Sequence, residues 1–369
     1  MKGECNMRKT SDHKKNLSCL SVLFCLSLGA FGWLETARGA QPVNEDEPSV
    51  GPNEKSEIDL KAIPFKIIYE TFRETDGKEN WELFLINADG SNATNLTRTP
   101  EVDEMCPHAS PDGTKVCFVA DEGKGRNKVR NVYYMNIDGT GRVKVADNAR
   151  EPCWSPDGKT IAYMKGEYER YTTRDYATKG LFFYDLATGK HEQHPNKELH
   201  HIFIICWSPD DKWFVANVRG GMGFGGGIIA FEAHGTGVFD LKKYGIKGCR
   251  PDLSPDGRTI GWGEDSEVDV YVADIDLTLS VPRVADVRGV AKCAKGYNVN
   301  LTDFSPDSRY VAFGYGPNVY GPEANYAVGR KAPGWNICVG DLTGKWVQIT
   351  TDGKHNKEPD WVPIRTLSR

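Results

Sequence analysis

Ser110-Pro111-Asp112-Gly113, Ser155-Pro156-Asp157-Gly158, Ser208-Pro209-Asp210-Asp211, Ser254-Pro255-Asp256-Gly257 and Ser305-Pro306-Asp307-Ser308 are five copies of one tetrapeptide. Their serines lie 45, 53, 46 and 51 residues apart, the period of a propeller blade. Each copy has the chemistry of a tight hairpin turn: Pro presets φ, Asp bonds its own backbone, and Gly, where present, accepts a positive φ. A bulky apolar residue precedes four of the turns (Trp154, Trp207, Leu253, Phe304), with Ala109 in the first copy, and strand-like runs such as Thr160-Ile161-Ala162-Tyr163 follow. Five similar turns give their Asp residues a structural role rather than a calcium-binding one.

A second motif recurs out of phase: an apolar strand closing on Asn87, Asn136, Asp185, Glu232, Asp274 and Asp341, with Gly three or four residues later in five of the six. Each unit therefore reads as strand a, the Ser-Pro-Asp turn, strand b, a variable loop, strand c, a second turn and strand d, which is one four-stranded antiparallel blade. The first unit, from Phe65 to Thr97, lacks strand a, while Lys357-Glu358-Pro359-Asp360-Trp361 repeats Arg150-Glu151-Pro152-Cys153-Trp154. The chain's last strand supplies the first blade's missing inner strand. This predicts an all-β fold, a six-bladed β-propeller over residues 62–364 closed by pairing N- and C-terminal strands, which leaves no open edge.

These motifs resemble the TolB family of WD-repeat-like propellers, whose repeat reads Pro-x-Trp-Ser-Pro-Asp-Gly with a Tyr-x-Met-Asp-x-Asp-Gly strand end. Val132-Tyr133-Tyr134-Met135-Asn136-Ile137-Asp138-Gly139 matches the second part. The resemblance covers about residues 65–363. It implies a six-bladed fold and a binding or scaffolding role in an envelope complex, although the family's extra N-terminal domain is replaced here by an acidic tether. The Gly-His and Trp-Asp pairs of true WD repeats are missing.

Outside the propeller, five Lys and Arg residues precede an uncharged run from Leu17 to Leu34 that ends near Ala37-Arg38-Gly39-Ala40. This reads as a signal peptide over residues 1–40, with an uncleaved membrane anchor as the runner-up. Residues 41–61 are a polar, acidic tether that cannot bury a core, and 365–369 a short tail. The protein is expected to be exported to the periplasm or beyond, as a monomer without a membrane span after cleavage. Its formal net charge of −5 argues against nucleic acid as a partner. The 39 glycines and 20 prolines beside 9 Trp, 15 Tyr and 15 Phe fit a turn-rich β protein.

Searches for chemistry give little. No Gly-x-Ser-x-Gly elbow accompanies the propeller, which excludes a propeller-type serine peptidase. Gly221-Met222-Gly223-Phe224-Gly225-Gly226 is a literal G-x-G-x-x-G, but a strand rather than a helix follows, so it reads as a loop. His191, His194, His200 and His201 carry ligating nitrogens, yet their spacing meets no ligand template. They are candidates for a divalent metal only under the alternative function, a polysaccharide lyase of the oligogalacturonate lyase kind; otherwise no cofactor is expected. Seven cysteines follow residue 40, and Cys106 and Cys117, flanking one turn, are the best candidates for a disulfide.

Strand order places the short turns on one face and the variable loops, over residues 165–179, 219–227, 285–298 and 314–334, on the other. Variable loops on a rigid scaffold usually carry recognition, and two of these are rich in aromatic and basic groups. Tyr168, Tyr171 and Arg174 in one, with Tyr320, Tyr326, Arg330, Lys331 and Trp335 in or beside the other, are the candidate ligand-binding residues for a protein, peptide or glycan in the cell envelope.

Overall fold

The computed structural model describes residues 58–264, 269–279, 281–318 and 328–364. The proposed signal peptide, the tether up to residue 57, the tail, Tyr320 and Tyr326 lie outside them. Six four-stranded antiparallel sheets form the domain. Their inner strands are His355–Val362 for the first blade, then Asp103–Ala109, Ala149–Trp154, Ile202–Trp207, Gly248–Leu253 and Tyr297–Phe304 for the second to sixth. The first blade closes as expected: Lys66–Thr75 pairs with His355–Val362, placing Ile67 against Trp361.

The Ser-Pro-Asp turn recurs because each of its groups has a bonding task. In every copy the Ser Oγ donates to the Asp Oδ1, at 2.6–2.7 Å, and accepts from the main-chain N five residues on, at 2.9 Å. The fourth residue has a positive φ throughout, including Asp211 (62°) and Ser308 (59°), where Gly is replaced. At Gly113 a Cβ would lie 1.9 Å from the Pro363 carbonyl oxygen, so here Gly also lets the second blade's turn meet the end of the closing strand.

The apolar core is divided among the blade interfaces. One cluster joins Ile67, Tyr69 and Trp361 of the first blade to Ala312, Ile337 and Val339 of the sixth; another joins Cys153, Ala162 and Leu181 of the third to Trp207, Phe214 and Phe231 of the fourth. Trp154, Trp207 and Trp361 are 6%, 8% and 3% exposed and belong to this core.

Two features differ from the sequence reading. Residues 285–298, expected as a loop, are mostly strand, because the fifth blade's outer strand is Arg283–Lys292. Every inner strand also carries a β-bulge two to four residues before its end. Cys106, Glu151, Ile204, Arg250 and Glu358 sit in five of these bulges with φ between 49° and 58°. The bulge separates Cys106 from the cross-strand position: Cys117 lies opposite His108, and Cys106 and Cys117 are both free thiols. The expected disulfide is therefore not formed.

Candidate functional site

Each inner strand ends in the same short sequence, an axial residue, then a bulky residue (Ala109 in the second blade), then Ser-Pro or its counterpart. Closing the ring brings the six ends together around a funnel of about 390 Å³ on the Ser-Pro-Asp face. Its wall is apolar and stiff: Pro111, Pro156, Pro209, Pro255, Pro306 and Pro363 alternate with Trp154, Trp207, Leu253, Phe304, Trp361 and Ala109. The six axial residues that line it are His108, Cys153, Cys206, Asp252, Asp303 and Asp360.

The three aspartates staple neighbouring blades. Asp252 Oδ2 accepts from the Phe304 N at 2.8 Å, Asp303 Oδ2 from the Trp361 N at 2.6 Å, and Asp360 Oδ1 from the Ala109 N at 3.2 Å. One carboxyl oxygen of each is thus occupied. Asp360 Oδ2 also meets His108 Nδ1 at 2.8 Å; burial opposes protonation of this ring, but the Asp360 carboxylate outweighs it and raises the His108 pKa. Burial pushes Asp252 up to about 6 and Asp303 well above the usual carboxylate range, with Asp360 and Asp252 adding repulsion and an Asp252–Asp303 hydrogen bond adding to the rise. Burial and mutual repulsion thus both favour the protonated form of this pair.

The opposite mouth is crossed by chain. Arg150 donates to the carbonyls of Arg174 (2.7 Å) and Thr172 (3.4 Å), and Tyr171 Oη donates to Asp121 Oδ2 at 2.5 Å. Asp121 is also held by Arg130 through two bonds of 2.7 and 3.0 Å, with both side chains 1% exposed. The long loops of the third and sixth blades meet where the Val328 N donates to Asp175 Oδ2 at 3.4 Å.

No family model matches the chain. The Tol-Pal system protein TolB of Alcanivorax borkumensis is 36% identical over 104 residues, which cover 27% of this chain and 23% of that protein. The solved structure of TolB from Acinetobacter baumannii superposes with a TM-score of 0.58 at 18% identity, covering 82% of this chain and 67% of the other. The chain is a TolB-like six-bladed β-propeller. Dipeptidyl-peptidase 5 of Porphyromonas gingivalis is also similar, 24% identical over 280 residues that cover 64% of this chain and 40% of that protein. The chain spans less than half the length of either curated relative.

In this TolB-like propeller the candidate ligand residues do not form one surface. Trp335 is 0% exposed and its Nε1 donates to the Pro317 carbonyl at 2.9 Å; it packs the sixth blade and cannot meet a ligand. Tyr171 fastens the loop beneath it, as above. Tyr168 and the Arg174 side chain are exposed, Arg330 is half-buried, and Lys331 is exposed with its ammonium 4.0 Å from the Phe72 ring centre.

Of the four histidines, His200 and His201 have adjacent rings with centres 5.0 Å apart, but the four do not share a site. His194 is 1% exposed; its Nε2 donates to the Glu232 carbonyl at 2.9 Å while Nδ1 accepts from the Asn196 N at 3.1 Å, and burial lowers its pKa. His191 bonds the Tyr163 hydroxyl, His200 bonds Glu198 O and the Met222 N, and His201 faces Glu167. Both nitrogens of His194 and of His200 are occupied, so these four do not constitute a metal centre. Among the described residues no group of three or more His, Cys, Asp and Glu is arranged to hold a metal.

Sequence reasoning missed the funnel although its signal was present. The residue before the bulky wall position is the one that changes chemistry from copy to copy, from His through Cys to Asp, while its neighbours stay alike.

Proposed function

We propose that this chain is a non-catalytic binding propeller of the cell envelope, and that its protein or peptide ligand sits in the funnel on the Ser-Pro-Asp face. The observation that carries this reading is the funnel itself, an apolar, proline- and aromatic-walled concavity with a few polar groups converging on its floor, the usual character of a recognition pocket. Rigid wall residues lose little freedom on contact, which favours affinity. The place of the TolB-like fold in envelope proteins and the signal-like N-terminal sequence support an exported location. No helix among the described residues is long and apolar enough to cross a membrane. Ligand on this face replaces the variable-loop reading, because the loops' aromatic residues Tyr171 and Trp335 are engaged internally.

Peptides selected from a random display library on the wild-type protein test the proposal. Ala109 stands where three other blades carry Trp, so Ala109→Trp fills the funnel while keeping the repeat's own chemistry. We expect selected peptides to lose binding to Ala109→Trp and to keep it on a Tyr168→Ala, Arg174→Ala variant. The reverse pattern, or glycan rather than peptide binding on arrays, would overturn it.

A further inference from the structure

We infer that the funnel selects a basic segment of a protein partner, seating one ammonium or guanidinium group over Asp252, Asp303 and Asp360; this rests on the peptide-binding reading above. The charge of the lining is one-sided. Three carboxyls line the funnel and His108 is the only basic residue there. His108 is engaged with Asp360 at 2.8 Å, which leaves Asp252 and Asp303 facing one another without a cation among the lining residues. Holding a proton is how such a pair relieves its repulsion in the empty funnel. A ligand cation would relieve it better, because an ion pair formed away from bulk water is little screened.

The ring is also asymmetric in a way that orients a chain. Asp252, Asp303, Asp360 and His108 occupy four successive blades, and Cys206 and Cys153 the remaining two. On that thiol side the wall is unfinished. The Trp154 Nε1 donates to the His108 carbonyl at 2.8 Å and the Trp361 Nε1 to the Asp303 carbonyl at 3.1 Å, whereas the Nε1 of Trp207 is buried with no acceptor. An unsatisfied buried donor costs on the order of 1–3 kcal/mol. A main-chain carbonyl of the bound segment supplies the acceptor once the indole turns toward it. The basic head then points to the carboxyl side and the main chain crosses the thiol side.

Seating a cation displaces a proton held by Asp252 or Asp303, so binding is coupled to proton release. The groups that face this pair are Asp360, with His108 bonded to it, and Cys206, whose thiol bonds Asp252; Cys153 lies within the field of Asp252 and Asp360, and Glu151 within reach of His108. With Asp252 pushed up to about 6, affinity for a basic segment rises as pH increases from 5 to 7.5.

A positional-scanning library of extended octapeptides, with the central residue fixed as Lys, Arg, acetyl-lysine, Gln or Glu, is incubated with the full chain and the retained peptides are counted. We expect Lys and Arg to be enriched about tenfold over acetyl-lysine, Gln and Glu at pH 7.5 and less at pH 5. The enrichment should vanish in Asp252→Asn, Asp303→Asn, whose amides keep the staple acceptors and whose melting curve reports that the fold is intact. Adding a retained Lys peptide should move the Trp207 indole N–H resonance more than those of Trp154 and Trp361. Peptides held in the funnel, as judged by loss on Ala109→Trp, but without charge preference would overturn this inference and leave the binding site standing. Failure to retain any funnel-dependent peptide would overturn both.

Discussion

Replacing Trp361 with Ala examines the closure of the ring where the chain's end provides the first blade's inner strand. The indole is 3% exposed, packs edge-on against Phe65 with ring centres 6.4 Å apart, and lies among Ile67, Ile86, Ile337 and Val339. Its Nε1 is bonded to the Asp303 carbonyl at 3.1 Å, so the closing strand is held to the sixth blade as well as the first. Truncating a packed Trp costs about 3–5 kcal/mol. The lost indole bond is included in that range, since its net value is only about 1 kcal/mol. With about 2–4 °C per kcal/mol for a large domain, the midpoint should fall by roughly 6–20 °C in a thermal melt. Trp154→Ala is the control, because Trp154 is equally buried at 6% exposure and bonds the His108 carbonyl but sits in a blade built from continuous chain. Both variants should melt early. Only Trp361→Ala should also make the amides of His355–Val362 exchange well before those of the other inner strands. A Trp361→Ala midpoint within 2 °C of wild type, or exchange spread evenly over all six inner strands, would refute closure through this strand.

Asp303→Asn puts a neutral amide in place of a carboxyl that burial and neighbouring carboxyls raise. Because the Asp252 and Asp303 carboxyls are raised in the fold, the stability they contribute is present below their unfolded values and is lost as pH rises, through about 6 for Asp252 and higher for Asp303. Wild type should therefore lose midpoint relative to Asp303→Asn between pH 5 and 8.5, and parallel curves would contradict the raising of these carboxyls. Arg130→Met leaves the Asp121 carboxylate buried without its two-bond partner, which should cost about 3–5 kcal/mol in urea unfolding, part of it recovered by adding Asp121→Asn. Peptide mapping without reductant should find Cys106 and Cys117 in separate, unlinked fragments, since both are free thiols; a linked pair would show that the bulge at Cys106 had been misplaced.

The blade count, the strand order and the closing strand were legible because turn chemistry is local. Ser, Pro and Asp in succession specify their own bonds, and five copies fix a period. The inner-strand bulges were not legible. Cys106, Glu151, Ile204, Arg250 and Glu358 adopt left-handed backbone angles that Gly or Asn would have advertised, and these side chains give no such signal. The fifth blade's outer strand was also hidden, since Arg283–Lys292 is largely exposed and shows no apolar alternation to distinguish it from a loop. The histidines misled for the opposite reason: closeness in sequence counts for little when a strand and a loop turn the side chains to different neighbours.

The funnel was illegible for a further reason, and it also explains why the site belongs there. Most repeated positions in the inner strand are committed to the fold: the Ser hydroxyl and Asp carboxylate close the turn, and the bulky residue fills the space between blades. The axial position has fewer duties. At Asp252, Asp303 and Asp360 one oxygen staples the next blade, yet thiols meet the Trp207 and Leu253 N–H groups at Cys153 and Cys206 and an imidazole stands at His108, so the staple does not demand a carboxylate. A position that the architecture leaves open can vary with the ligand. Each copy taken singly shows an ordinary polar residue in a strand about 50 residues from the next copy. Only closure of the ring turns six such residues into one surface. The chemistry of this propeller is therefore a property of its topology, written at a single repeat position and readable once the repeats are aligned on their turns.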